Sequence, residues 1–93
     1  MQEVTYQEIS PNERKNLSFS DLKEGRRVFI QVARARGEFL ISEKGNNYII
    51  LSTTQRIPVD IRIIFFSVGA KVIKRDKGYK VRLDKEQYSF IFS

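Results

Sequence analysis

The chain has no cysteine, no histidine and no tryptophan, and only one methionine and two prolines in 93 residues. Without cysteine, disulfides and thiolate metal sites are excluded. Without histidine, the most common general base and metal ligand at neutral pH is missing as well. No apolar run approaches the ~18 residues of a membrane span. The longest, Ile63-Ile64-Phe65-Phe66, has the length of a core strand. No Gly-x-Gly-x-x-Gly or Walker-type loop is present to cradle a phosphate. The eleven acids are scattered and mostly sit beside a base, and no Asp-x-Asp or Glu-x-x-Glu cluster marks a Mg²⁺ site. Ser52-Thr53-Thr54 is a hydroxyl run at a strand end and reads as structural. An enzyme and a bound cofactor are therefore not expected. Met1-Gln2-Glu3 has neither the basic nor the apolar region of a secretion signal, so the expected location is cytoplasmic, away from any membrane.

What is present is β-branched and cationic. Hydrophobic residues make up 41% of the chain, with isoleucine and valine prominent, enough for one domain over residues 1–93 with its own core. The net charge of +6 is unevenly spread: residues 1–25 carry −2, residues 26–44 carry +3, residues 45–70 carry +1 and residues 71–93 carry +4. A slightly acidic leader thus precedes a basic body.

The strongest local pattern is a basic hairpin over 71–83. Apolar and cationic residues alternate along both arms, and Asp76-Lys77-Gly78 supplies the turn. Period-two alternation puts Val72, Tyr79, Val81 and Leu83 towards a core and points Lys74, Lys80 and Arg82 outward. Upstream, Val4–Ile9 alternates weakly as a strand. Ser10-Pro11-Asn12-Glu13 matches a capping box, which predicts a short N-terminal helical turn through about Leu17. Ser20–Gly25 forms a compact turn. Arg26–Ala35 reads as a strand with Val28, Ile30 and Val32 inward, turned by Arg36-Gly37 into Glu38–Glu43. Lys44-Gly45-Asn46-Asn47 is a second turn, leading into Tyr48–Thr54. After a loop holding Pro58, Asp60–Val68 is apolar on both faces and predicts a buried central strand. Gly69-Ala70 breaks before the hairpin, and Gln87–Phe92 closes as a strand with Tyr88, Phe90 and Phe92 on one face.

Six or seven short strands with glycines at the corners predict an all-β fold, a small single-domain β-barrel that hides its strand edges. Asp21-Leu22-Lys23-Glu24-Gly25 followed by Val28-x-Ile30-x-Val32 resembles the entry to the first strand of OB-fold proteins. Over Gly25 to Leu51, Val28-x-Ile30-x-Val32, Arg36-Gly37-Glu38-Phe39 and Tyr48-Ile49-Ile50-Leu51 together are similar to the Sm-like and SH3-like barrels. Both resemblances imply a small barrel, OB-like or SH3/Sm-like, and neither carries binding residues across.

The candidate site residues are cations in two clusters. One is Arg26, Arg27, Arg34 and Arg36, flanking the first strong strand at both ends; the other is Lys71, Lys74, Arg75, Lys77, Lys80 and Arg82 of the hairpin. Arginine pairs bidentately with phosphate and stacks on bases, and such contacts give salt-sensitive, sequence-independent affinity. An ordinary solvated surface is the competing explanation for these charges. The eleven aromatics serve mostly as core; Tyr48 and Tyr79, each following a glycine-bearing turn, are the candidate stacking rings. Ile91 is the candidate protein-interface residue, because a strand over 87–92 would point it away from Tyr88, Phe90 and Phe92. Two functions compete. In one, the domain binds DNA or RNA directly through the phosphate backbone. In the other, it is an accessory subunit docked on a larger protein, such as a polymerase, in a nucleic-acid machine of replication or transcription. Neither needs a metal or a small-molecule substrate.

Overall fold

A computed structural model describes residues 3–10, 13–15 and 17–92. The architecture is mostly β, with two short helices. The strands are β1 (Glu3–Ser10), β2 (Glu13–Lys15), β3 (Arg27–Val32), β4 (Ala35–Lys44), β5 (Tyr48–Thr53), β6 (Val72–Arg75) and β7 (Gly78–Asp84). A 3₁₀ turn spans Phe19–Asp21, and the helices are α1 (Val59–Ser67) and α2 (Lys85–Phe92). All neighbouring strands are antiparallel, in the order β2-β1-β3-β4-β5-β7-β6. The sheet does not close. Instead of a barrel it ends at β2 on one side and β6 on the other, and its edges persist among the described residues.

One face of this sheet is apolar. Val28 and Ile30 of β3, Phe39 and Ile41 of β4, Ile49 and Leu51 of β5, and Val81 and Leu83 of β7 are buried in a common core with both helices. Each such aliphatic side chain contributes about 1.5–3 kcal/mol by leaving water. A second sheet is not needed to cover this face, because α1 and α2 cover it.

The two helices correct the two strands expected at Asp60–Val68 and Gln87–Phe92. In α1 the buried positions are Ile61, Ile64 and Phe65, the i, i+3, i+4 spacing of a helix face. Pro58 starts it, its carbonyl accepting from the amides of Ile61 and Arg62 at 3.1 and 3.0 Å. Gly69 ends it at φ +80°: its amide donates to Phe66 and the Ala70 amide donates to Phe65, a Schellman closure with Ala70 packed back into the core. In α2, Asp84 and Gln87 cap each other. The Gln87 amide donates to Asp84 Oδ1 at 2.8 Å and the Asp84 amide donates to Gln87 Oε1 at 2.9 Å. Tyr88, Ile91 and Phe92 then share the buried face, with Tyr88 stacked on Phe92 and edge-on to Phe19.

Other expectations shift. The helical turn predicted after Ser10 is not formed over Glu13–Lys15, which instead pairs with β1, with Gln7 opposite Lys15 and Glu8 opposite Arg14. That pairing satisfies part of the β1 edge, which a helical turn would leave open. Pro11, Asn12 and Asn16, the rest of that predicted segment, lie outside the described residues. The β3–β4 turn falls at Ala33-Arg34, with Val32 opposite Ala35 and Ala33 at φ 54°, not at Arg36-Gly37. Gly37 serves packing. A Cβ there would lie 2.8 Å from Ile61 Cδ1, so its absence lets α1 approach β4. Further along, β4 carries a bulge between Ile41 and Glu43 against β5. The hairpin of β6 and β7 forms, but its turn is Asp76-Lys77 alone: Arg75 lies opposite Gly78, which opens β7 instead of belonging to the turn.

Two stability outcomes follow from this packing. Gly78 has φ +141°, and a Cβ would run into the Thr53 carbonyl and lie 2.9 Å from the Thr54 Cα, both backbone. Gly25 has φ +89° but open space around it. Urea unfolding should show Gly78→Ala destabilising by roughly 2–4 kcal/mol and Gly25→Ala by only about 1. Ile91 is 7% exposed in the core, whereas Phe90 beside it is 77% exposed. Ile91→Asp should therefore cost at least about 3 kcal/mol, and Phe90→Asp should fall within about 0.5 kcal/mol of the parent in the same assay.

Candidate nucleic-acid interface

Among the described residues no helix lies over the face of the sheet opposite α1 and α2. Alternation along five adjacent strands brings Arg27 (β3), Leu40 (β4), Ser52 (β5), Lys80 (β7) and Ile73 (β6) into one transverse row of directly paired residues. Strands about 4.8 Å apart put Arg27 and Lys80 roughly 14 Å from each other across this row. Beside the row, Ile50 pairs with Arg82. Arg27, Leu40, Ile73, Lys80 and Arg82 are all exposed.

A shallow cavity of about 420 Å³ opens at one end of this face, where Arg27, Ser52, Thr54, Arg75, Lys77 and Lys80 meet. Four bases and a row of hydroxyls thus share a single concavity with Glu38, Phe39, Leu40 and Tyr79. Arg27 donates to Glu38 Oε1 at 3.0 Å, with the Arg27 side chain 68% and the Glu38 side chain 40% exposed. An exposed pair of this kind adds little stability but holds the guanidinium at the cavity rim. Ser52 Oγ donates to Ser42 Oγ at 2.7 Å, and Thr53 Oγ1 accepts the Gln55 amide. The hydroxyls read from sequence as merely structural therefore also line a basic concavity. Only their strand position, at the end of β5, signalled this in the sequence.

The structure divides the predicted cations. It brings Arg27, Arg75, Lys77 and Lys80 around one cavity, with Arg82 on the same face. It separates the others. Lys74 pairs with Tyr79 and shares its face with Val72 and Val81, on the helix side. The expectation that Lys74 points the same way as Lys80 is corrected, because Ile73, not Lys74, is opposite Lys80. Lys71 precedes β6. Arg34 lies in the β3–β4 turn. Arg36 is on the open face, about 13 Å along β4 from the row, with its guanidinium 4.5 Å from the Phe29 ring centre. Arg26 is half-buried just before β3, with its carbonyl accepting the Ile41 amide. Ile91, the candidate interface residue, is in the core and offers no surface. Among the described residues no cluster of acidic side chains is placed to hold a metal, and no helix is long and apolar enough to cross a membrane.

The two candidate stacking rings both have a cation over one face. The Arg82 guanidinium lies 4.7 Å from the Tyr48 ring centre, and Arg62 of α1 lies 5.4 Å from that of Tyr79. Gly45 leaves the room that the Tyr48 ring occupies. With Gly45 on one side and Arg82 close by, Tyr48 acts as a platform that orients the guanidinium rather than as an open stacking surface.

The Tyr48 hydroxyl donates to Glu43 Oε2. That bond, and the negative charge of Glu43, hold the phenol above its ordinary titration range, with Arg82 pulling weakly in the other direction. Glu43→Gln removes the negative charge and leaves at most a weaker, neutral acceptor for the hydroxyl, with Arg82 still in place. A spectrophotometric titration of phenolate absorbance should then show Tyr48 ionising at lower pH than in the parent, and an unchanged or higher value would rule out Glu43 as the cause. Comparison of the chain with known protein families, curated proteins and solved structures finds no match to any of them.

Proposed function

We propose that the open face of the sheet is a non-catalytic binding surface for the phosphate backbone of a nucleic acid, and that the chain works as a small accessory module of a nucleic-acid machine in the cytoplasm. The observation that carries this reading is the convergence of Arg27, Arg75, Lys77 and Lys80 on one hydroxyl-lined concavity of an uncovered face. The carboxylates on this face do not oppose a polyanion freely. Glu38 is paired with Arg27, and Glu43 accepts the Tyr48 hydroxyl. Arg27, Arg75 and Lys80, held on strands, meet phosphates without the cost of ordering a loop. Open aromatic rings, needed for tight single-strand stacking, are scarce on this face, and base-edge readers such as Asn or Gln are absent from its central row. Backbone contact with little sequence preference is the mode this chemistry supports.

Fluorescence anisotropy with labelled single- and double-stranded oligonucleotides tests it. Binding should weaken steeply as salt rises and vary little with sequence. The triple variant Arg27→Ala/Lys80→Ala/Arg82→Ala should lower the slope of log K against log salt by about one unit for each phosphate no longer neutralised. Lys74→Ala, on the other face, should leave it unchanged. Parent-like affinity and slope in the triple variant would remove the open face from consideration.

A further inference from the structure

Away from the open face, α1 carries a second stripe that the core does not use. Val59, Ile63 and Phe66 recur at helical spacing on its solvent side, and Phe66 is 84% exposed. Together with Ala70 and Val72 they form an apolar groove between α1 and β6, with Arg62 at its margin. Beside this groove β6 is the last strand of the sheet, and among the described residues nothing pairs with its outer edge. Arg75 and Gly78 close the two-residue hairpin as a hydrogen-bonded pair, so the next such pair is Ile73 with Lys80. The N–H and C=O of Val72 and Lys74 therefore point out of the sheet. A groove and a strand edge lie side by side, which is the arrangement that accepts an added strand.

Charge says what kind of strand. Arg62, Lys71, Lys74, Arg75 and Lys77 surround this edge, against Asp60 and Asp76. A second copy of the chain added edge to edge would bring β6 lysines and arginines against their own counterparts, an unfavourable cross-strand pairing. A nucleic acid has no aliphatic side chains for the groove and no peptide groups for the ladder. We infer that the β6 edge and the α1 groove bind an extended acidic segment of a partner protein by strand addition. Its apolar side chains would face α1, beside Val72 and over Ile63 and Phe66. Its carboxylates would lie on the other side, beside Ile73, within reach of Arg75 and Lys77. Arg75 and Lys77 border both this edge and the cavity of the nucleic-acid reading, whereas Arg27, Lys80 and Arg82 on the open face take no part in strand addition and so separate the two readings.

The test is a titration of the isotope-labelled full chain, followed by amide NMR shifts and hydrogen exchange. The probe is a pool of heptapeptides with glutamate at alternate positions and Val, Ile, Leu or Phe between. Shifts should concentrate at Val72–Arg75 and at Ile63 and Phe66, and the Val72 and Lys74 amides should exchange at least tenfold more slowly. Phe66→Asp, at a solvent-facing position that folding does not require, should weaken binding at least tenfold while leaving the remaining spectrum and oligonucleotide binding unchanged. Arg27→Ala/Lys80→Ala/Arg82→Ala should do the reverse. The same pool with lysine in place of glutamate should not bind. Absence of binding at millimolar peptide, or parent-like binding by Phe66→Asp, would overturn the inference. So would concentration-dependent pairing of the chain through β6, or an oligonucleotide that shifts these residues when the peptides do not.

Discussion

Gln87 makes the contacts that hold the two helices to one side of the sheet. Its amide and side-chain oxygen exchange hydrogen bonds with Asp84, converting the end of β7 into α2, and its Nε2 donates to the Val68 carbonyl at 3.0 Å, at the end of α1. One residue thus couples the last strand, the last helix and the C-terminus of the other helix. With both helices fixed there, the apolar face is covered and the opposite face is left to water. The Lys85 amide, donating to the Asn47 carbonyl, anchors the same corner to the β4–β5 turn. The accessibility of the open face depends on this one-sided arrangement.

The sequence was legible where a pattern is local and carries its own turn. The β6–β7 hairpin alternates cleanly along its β7 arm and has a glycine at Gly78 that no other residue can replace without meeting the Thr53–Thr54 backbone. The helices were not legible as helices, for two different reasons. Over 59–67 six of the nine residues are apolar, because one side packs in the core while the other forms an exposed groove, so neither period stands out. Over 87–92 the aromatics at Tyr88, Phe90 and Phe92 mimic strand alternation, while the true signal, the Asp84-Lys85-Glu86-Gln87 capping box, sits just ahead. The similar box at Ser10–Glu13 misleads, since Glu13–Lys15 belongs to a strand. A cap signature shows where a helix is permitted, and the packing of the residues after it decides whether one forms.

The site was legible as chemistry and not as geometry. Cation types and their two clusters could be read directly, yet their grouping depends on cross-strand register. Arg27 and Lys80 are 53 positions apart in the chain and share a row only because β4 and β5 lie between their strands in the right register. Lys74 and Lys80 lie in one hairpin and still face opposite ways. The resulting molecule has two unlike surfaces: a polar, cationic sheet face with a hydroxyl-lined hollow, and an apolar rim beside a free strand edge.

The bulge in β4 decides which charge sits at the margin of the interior. Because Ser42 is the extra residue, Glu43 falls opposite Ile50 on the open side and Lys44 falls opposite Ile49 on the helix side. There the Lys44 ammonium lies 4.8 Å from the ring centre of Phe19, whose electron-rich face welcomes a cation. In an unbroken ladder Glu43 would take that place, and its carboxylate would confront the same π cloud and the aliphatic layer beneath. A single inserted residue thus acts as a sorting device for sign, keeping an anion out of a seat shaped for its opposite.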